Sequence, residues 1–231
     1  MMKNNAIETL ARRFRAENNL SLTEPISAKT ILRKLNILTM YRPMSDGSYG
    51  ISVRAGENRF MLINSNSTRG RQHYTIAHEL YHLYFDEAPV PHICDNGPAR
   101  GVEKTANLFA SALLMPEEGL VQIVPLAEQK KAVTLATVLR LEQYYEVSRM
   151  ALLLRLKDLG MMTEEQITQM RDIRPKESAK AYGYDTALYE SGNEGVVIGD
   201  FGEKARLLYE SDRISEGHYH ELLNMIEYGS R

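Results

Sequence analysis

One cysteine, Cys94, is all that the 231 residues contain, so an intramolecular disulfide is impossible and a zinc site built on cysteines would lack ligands. That scarcity fits a reducing cytoplasm. An excess of either charge is also missing. With 28 Lys and Arg against 30 Asp and Glu, the formal net charge of −2 gives no chain-wide attraction to nucleic-acid phosphates or anionic lipid. No window approaches the ~18 apolar residues needed to span a bilayer, and the opening run MMKNNAIETLARRFRAENN is too polar to read as a signal peptide. Neither a membrane nor direct contact with nucleic acid is therefore expected. The remainder is ordinary globular material, 43% hydrophobic and 25% charged. Its length suits one average domain with a smaller appendage.

Apolar residues recur at helical spacing over residues 6–17, and Ser27 is placed to cap a short second helix over 28–35 that Asn36 ends. Residues 37–41, 49–54 and 60–64 read as strands divided by the turn signals Ser45-Asp46-Gly47 and Gly56-Glu57-Asn58, which suggests a small antiparallel sheet. Strong helical patterns follow over 71–85 and 102–114, the second stopped by Met115-Pro116. A helix pair is expected over 133–160, with Gly160 as its terminator, and Thr163-Glu164-Glu165-Gln166 has the form of a capping box. After about residue 173 turn residues multiply. A boundary is placed there, separating residues 1–173 from a small helical region, 174–231, suited to binding a partner.

The chemistry sits on the two strong helices. Ala77-His78-Glu79-Leu80-Tyr81-His82 contains His-Glu-x-x-His, and at about 100° per residue His78 and His82 project from nearly the same face, one turn apart. Two imidazoles can then reach one ion, with Glu79 to one side as a base acting on a water. Ile76, Leu80 and Leu83 point roughly opposite, toward a core. A catalytic zinc needs a third protein ligand and one open position. Glu103 follows His82 by 21 residues, at the start of the next helix. Ala106 and Ala110 on its face allow close approach to the ligand helix, and Asn107 is placed to hydrogen-bond a ligand histidine.

The runs Arg71-Gln72-His73-Tyr74-Thr75-Ile76-Ala77-His78-Glu79-Leu80-Tyr81-His82 and Glu103-Lys104-Thr105-Ala106-Asn107-Leu108-Phe109-Ala110-Ser111-Ala112-Leu113-Leu114-Met115-Pro116 resemble the ImmA/IrrE family of metallo-endopeptidases. The resemblance extends more loosely from the strands near Ile51 to Gly160. It implies an α+β, zincin-like fold: a small antiparallel sheet packed on an active-site helix, with a mostly helical C-terminal half. It further implies that His78, His82 and Glu103 bind the metal, that Glu79 is catalytic, and that the substrate is a helix-turn-helix transcription repressor of stress or mobile-element genes. Tyr81 departs from the family pattern, where glycine is common, without removing a ligand.

One divalent metal is expected. Zinc suits the mixed histidine and carboxylate set, and manganese or iron are the alternatives. His92 and Arg100, between the ligand helices, are candidates for stabilising an oxyanion. All four remaining histidines, His73, His92, His218 and His220, read more simply as surface or structural residues. The strand around 60–64 is either a sheet edge on which an extended peptide could pair or an ordinary interior strand. Two rival readings remain. One is a regulatory, antitoxin-like binding protein with a zincin fold, acting by protein–protein contact. The other is a DNA-binding helix pair over 133–160, disfavoured because Arg140, Arg149, Arg155 and Lys157 are interleaved with Glu142, Glu146 and Asp158.

Overall fold

The computed structural model describes residues 2–87, 92–95, 101–129 and 132–227. The chain opens with α1 (Met2–Glu17), which buries Ala11 and Phe14 as its apolar spacing requires. Helix α2 (Ala28–Lys34) starts where the Ser27 hydroxyl accepts from the Thr30 amide, and Asn36 turns the chain out at φ 49°. Strands β1 (Ile37–Arg42), β2 (Ser48–Ala55) and β3 (Asn58–Asn64) follow. Gly56, at φ 61°, supplies the left-handed turn of the β2–β3 hairpin.

The sheet is mixed rather than wholly antiparallel. Strand β2 lies two positions from β1, and β3 returns between them, running parallel to β1 with Ile37 opposite Arg59. Helix α3 (Arg69–Phe85) crosses the sheet and leads to β4 (His92–Asp95), which pairs antiparallel with β2. Helices α4 (Val102–Leu114), α5 (Glu117–Ile123), α6 (Leu126–Gln129), α7 (Leu135–Tyr145), α8 (Arg149–Asp158), α9 (Glu164–Arg171) and α10 (Pro175–Ala181) complete the helical half. A 3₁₀ turn (Ala187–Tyr189), β5 (Val197–Ile198), α11 (Phe201–Glu210) and α12 (Glu216–Glu227) follow. The strand order is β4-β2-β3-β1-β5. Strand β3 is thus interior, paired on both sides, and offers no edge to a peptide; the edges are β4 and β5.

The core lies between the sheet and α3, with α1 and α4 on the far side of that helix. Ile76, Ala77, Leu80 and Leu83 of α3 are buried with Met61 and Ile63 of β3 and Ile37 of β1. Each large aliphatic side chain so buried contributes about 1.5–3 kcal/mol. Phe14 meets the edges of Tyr84, Phe85 and Phe109 at centroid distances of 5.5, 5.9 and 5.8 Å, which locks α1, α3 and α4 together. Gly50 sets how closely α3 approaches the sheet. A Cβ there would lie 2.6 Å from Thr75 Cγ2 and 3.4 Å from Glu79 Oε1.

Buried arginines tie the helical half together. Arg15 donates to the carbonyls of Leu113 and Glu24, and desolvation lowers its guanidinium to about 10. Arg149 donates to both carboxylate oxygens of Glu142, to the Ile173 carbonyl and to Ser178 Oγ. Arg155 donates to the Met115 carbonyl and to Glu8. Two of the four cations that a DNA-binding helix pair would have used are therefore internal braces, turned away from any phosphate.

The C-terminal region is strapped to the sheet and to the start of α3. Arg69 N donates to Glu190 O, Gln72 Nε2 to Gly192 O, and Asn193 Nδ2 to Gln72 Oε1. β5 then pairs with β1 through Thr39 and Met40. Helices α11 and α12 pack on one another with Tyr209 stacked on Tyr219 at 5.0 Å, and they leave Leu207 and Met225 exposed.

Candidate metal centre

The structure brings His78, His82 and Glu103 together. His78 and His82 lie on one face of α3, with their Nε2 atoms 3.2 Å apart. Glu103, in the first turn of α4, places Oε2 3.3 Å from His78 Nε2 and Oε1 3.5 Å from His82 Nε2. Ala106 and Ala110 are fully buried where α4 meets α3, as the small-residue face required.

The outward ring nitrogens fix the tautomers. His78 Nδ1 lies 3.0 Å from Asn107 Oδ1, and His82 Nδ1 lies 2.9 Å from Asp86 Oδ2. Both oxygens accept, so each Nδ1 carries the proton and each Nε2 presents a lone pair inward. The two Nε2 atoms and the two carboxylate oxygens then converge. A divalent cation answers that arrangement, and the 3.2 Å Nε2 separation matches the edge of a tetrahedron with metal–nitrogen bonds of roughly 2.0–2.1 Å. The residues present fit a metal.

Glu79 is 0% exposed, its Oε1 3.4 Å from where a Cβ on Gly50 would stand and a carboxylate oxygen within 4.8 Å of a His78 ring nitrogen. A second donor set lies beside the first: a ring nitrogen of His78, a Glu79 carboxylate oxygen and Cys94 Sγ fall within 4.8 Å of one another, as do the donors of His78, His82 and Glu103. The second set would consume Glu79 as a ligand. The first uses two imidazoles whose Nδ1 atoms already have acceptors, and leaves Glu79 outside the ligand set.

Tyr81, the departure from the family pattern, packs against His82, Phe85 and Phe109 at 5.7–5.9 Å, filling the seam between α3 and α4. His73 is buried, with Nδ1 3.1 Å from the Glu146 carbonyl, whereas His218 and His220 are exposed on α12. The His92 side chain and Arg100 lie outside the described residues. Sequence reasoning missed Asp86 and the nearness of Cys94. Asp86 had a signal, a carboxylate one turn beyond His82 just past the helix end. Cys94 had none, because only the pairing of β4 with β2 carries it to the site.

An α+β chain whose His-Glu-x-x-His helix faces a glutamate on the next helix has the layout of a metallopeptidase. Residues 32–157 match the family model Peptidase_M78, the IrrE N-terminal-like domain, and the chain belongs to that family. Comparison with curated proteins gives no match. The family match takes in β1 to β4, α3, α4 and nearly all of α8, and a metal-dependent peptidase acting on protein is the activity this family supports. Among the described residues no helix is long and apolar enough to cross a membrane.

Asn107→Ala and Asp86→Ala should each weaken metal binding by roughly 10–100-fold, because each frees the ring whose tautomer it holds. Competition with a chelator of known zinc affinity measures this. Wild-type affinity in both variants would rule out the orienting role.

Proposed function

We propose that the chain is a metal-dependent endopeptidase that cuts a helix-turn-helix transcription repressor in the cytoplasm, with His78, His82 and Glu103 as ligands of one divalent ion, zinc by choice of donors. The observation that carries this reading is the convergence of those three side chains beside Glu79 in a member of the IrrE-like family. A divalent ion held there would supply Lewis-acid polarisation of the scissile carbonyl and lower the pKa of a water. Glu79 takes the proton of the attacking water and delivers it to the leaving amine. Asn107 and Asp86 hold the two imidazoles in register.

Among the described residues β4 is an edge strand, which supports it as the rail for an extended substrate, and it carries Cys94 to the site. A folded helix cannot pair in this way. The cut therefore falls in a linker or locally unfolded stretch of the repressor, separating its DNA-binding part from its dimerising part.

Residues 174–231 are assigned to partner binding. The strap of residues 190–198 belongs mechanically with the sheet, so α11 and α12, with Leu207 and Met225 exposed, are the part of that region available to a partner. The same exposed residues favour the second reading, a regulatory or antitoxin-like protein acting by contact alone. Incubating the metal-loaded chain with the repressor encoded beside it, locating cuts by mass spectrometry and measuring operator binding before and after tests the proposal. A repressor left intact under every activating condition, with a stable complex formed with a neighbouring toxin instead, favours the second reading.

A further inference from the structure

Two donor sets meet at His78, and the candidate metal centre draws on only one of them. The other joins a ring nitrogen of His78, a carboxylate oxygen of Glu79 and Cys94 Sγ, all within 4.8 Å of one another. Strand register explains how the cysteine arrives. Cys94 of β4 stands opposite Gly50 of β2, and residues paired across an antiparallel ladder project from the same face of the sheet. At Gly50 that face is the one α3 covers, since a Cβ there would meet Thr75 Cγ2 at 2.6 Å and Glu79 Oε1 at 3.4 Å. The half-buried Cys94 thiol is thereby brought under α3, beside the buried His78 and Glu79.

The two sets differ in kind. His78, His82 and Glu103 offer nitrogen and oxygen, whereas the second set adds a thiolate, the donor that favours soft ions. A neutral imidazole has a single lone pair, so an ion held by one set denies His78 to the other. Which set fills then depends on the softness of the metal supplied.

We propose that His78, Glu79 and Cys94 form a second, mutually exclusive site for one thiophilic cation, of the class of cadmium or copper(I), and that its occupation inactivates the chain. The proton of the Cys94 thiol passes to solvent as the sulfur–metal bond forms. Glu79 becomes a ligand and no longer accepts a proton from water. The binding claim stands on the donor geometry, and the inactivation rests on the peptidase reading above.

The test titrates the metal-free full chain with cadmium chloride and follows the sulfur-to-cadmium charge-transfer band in the ultraviolet. Cys94 is the only cysteine, so the band reports on that side chain alone. It should saturate at one cadmium per chain and be absent in Cys94→Ser, whose cadmium affinity should fall by more than the roughly 10–100-fold that loss of an outer hydrogen bond costs. Chelator competition on two further variants separates the sites. Glu79→Gln should weaken cadmium by at least roughly tenfold and spare zinc, and Glu103→Ala should weaken zinc and spare cadmium. Zinc affinity unmoved by Glu103→Ala, with cadmium still lost in Glu79→Gln, would uphold this site and fault the other. Cadmium bound without the band, saturation at half an equivalent with two chains sharing an ion, or zinc and cadmium affinities that change in parallel in both variants would overturn the proposal.

Discussion

Replacing Glu79 with glutamine should lower peptide cleavage by roughly 10²–10⁴-fold while leaving the fold and most of the metal affinity in place. The amide keeps the shape of the carboxylate above Gly50, where a Cβ would already press on Oε1 at 3.4 Å, so the side chain still fits its slot. It cannot accept the proton of the attacking water. Asn107 and Asp86 each meet the Nδ1 of one imidazole, so the proposed metal site should survive the exchange. Initial rates on a cleaved substrate, read beside metal content, separate the effects. Undiminished turnover would remove Glu79 from the chemistry.

Glu103→Ala should weaken metal binding by more than the roughly 10–100-fold expected when an outer hydrogen bond is lost, because on the proposed reading it removes a direct ligand and the only negative charge of the set. His78→Ala with His82→Ala should abolish stoichiometric binding. Metal-loaded protein should also melt above the chelated form, by an increment that these variants lose. A ligand present at 1,000 times its Kd contributes about 4 kcal/mol to the folded state. Equal occupancy in wild type and in the double histidine variant would show the site to be elsewhere.

Much of this was legible in the sequence because it rests on local rules. Periodicity located α3, α4, α7 and α8 to within a residue or two, the Thr163 capping box formed with both its hydrogen bonds, and the 3.6-residue period alone aligned His78 with His82. Glu103 was singled out because a catalytic zinc needs a third ligand, and the fold does bring it beside the two histidines. What stayed hidden depends on chain crossing. The insertion of β3 between β1 and β2 made the sheet mixed and turned the 60–64 strand inward, and no local pattern encodes that choice. β5, two residues long, exists only because residues 190–193 are strapped to α3. The buried pairing of Arg149 with Glu142 likewise reads as a solvated charge pattern until the fold covers it.

Zinc-edge X-ray absorption on the stoichiometrically loaded chain tests the central claim most directly. With His78, His82 and Glu103 as ligands, the spectrum should contain nitrogen and oxygen neighbours only, at roughly 2.0–2.2 Å, with the outer-shell pattern of two imidazoles. A sulfur neighbour at roughly 2.3 Å, or the pattern of a single imidazole, would instead place the metal with Cys94 and Glu79 and contradict the assignment.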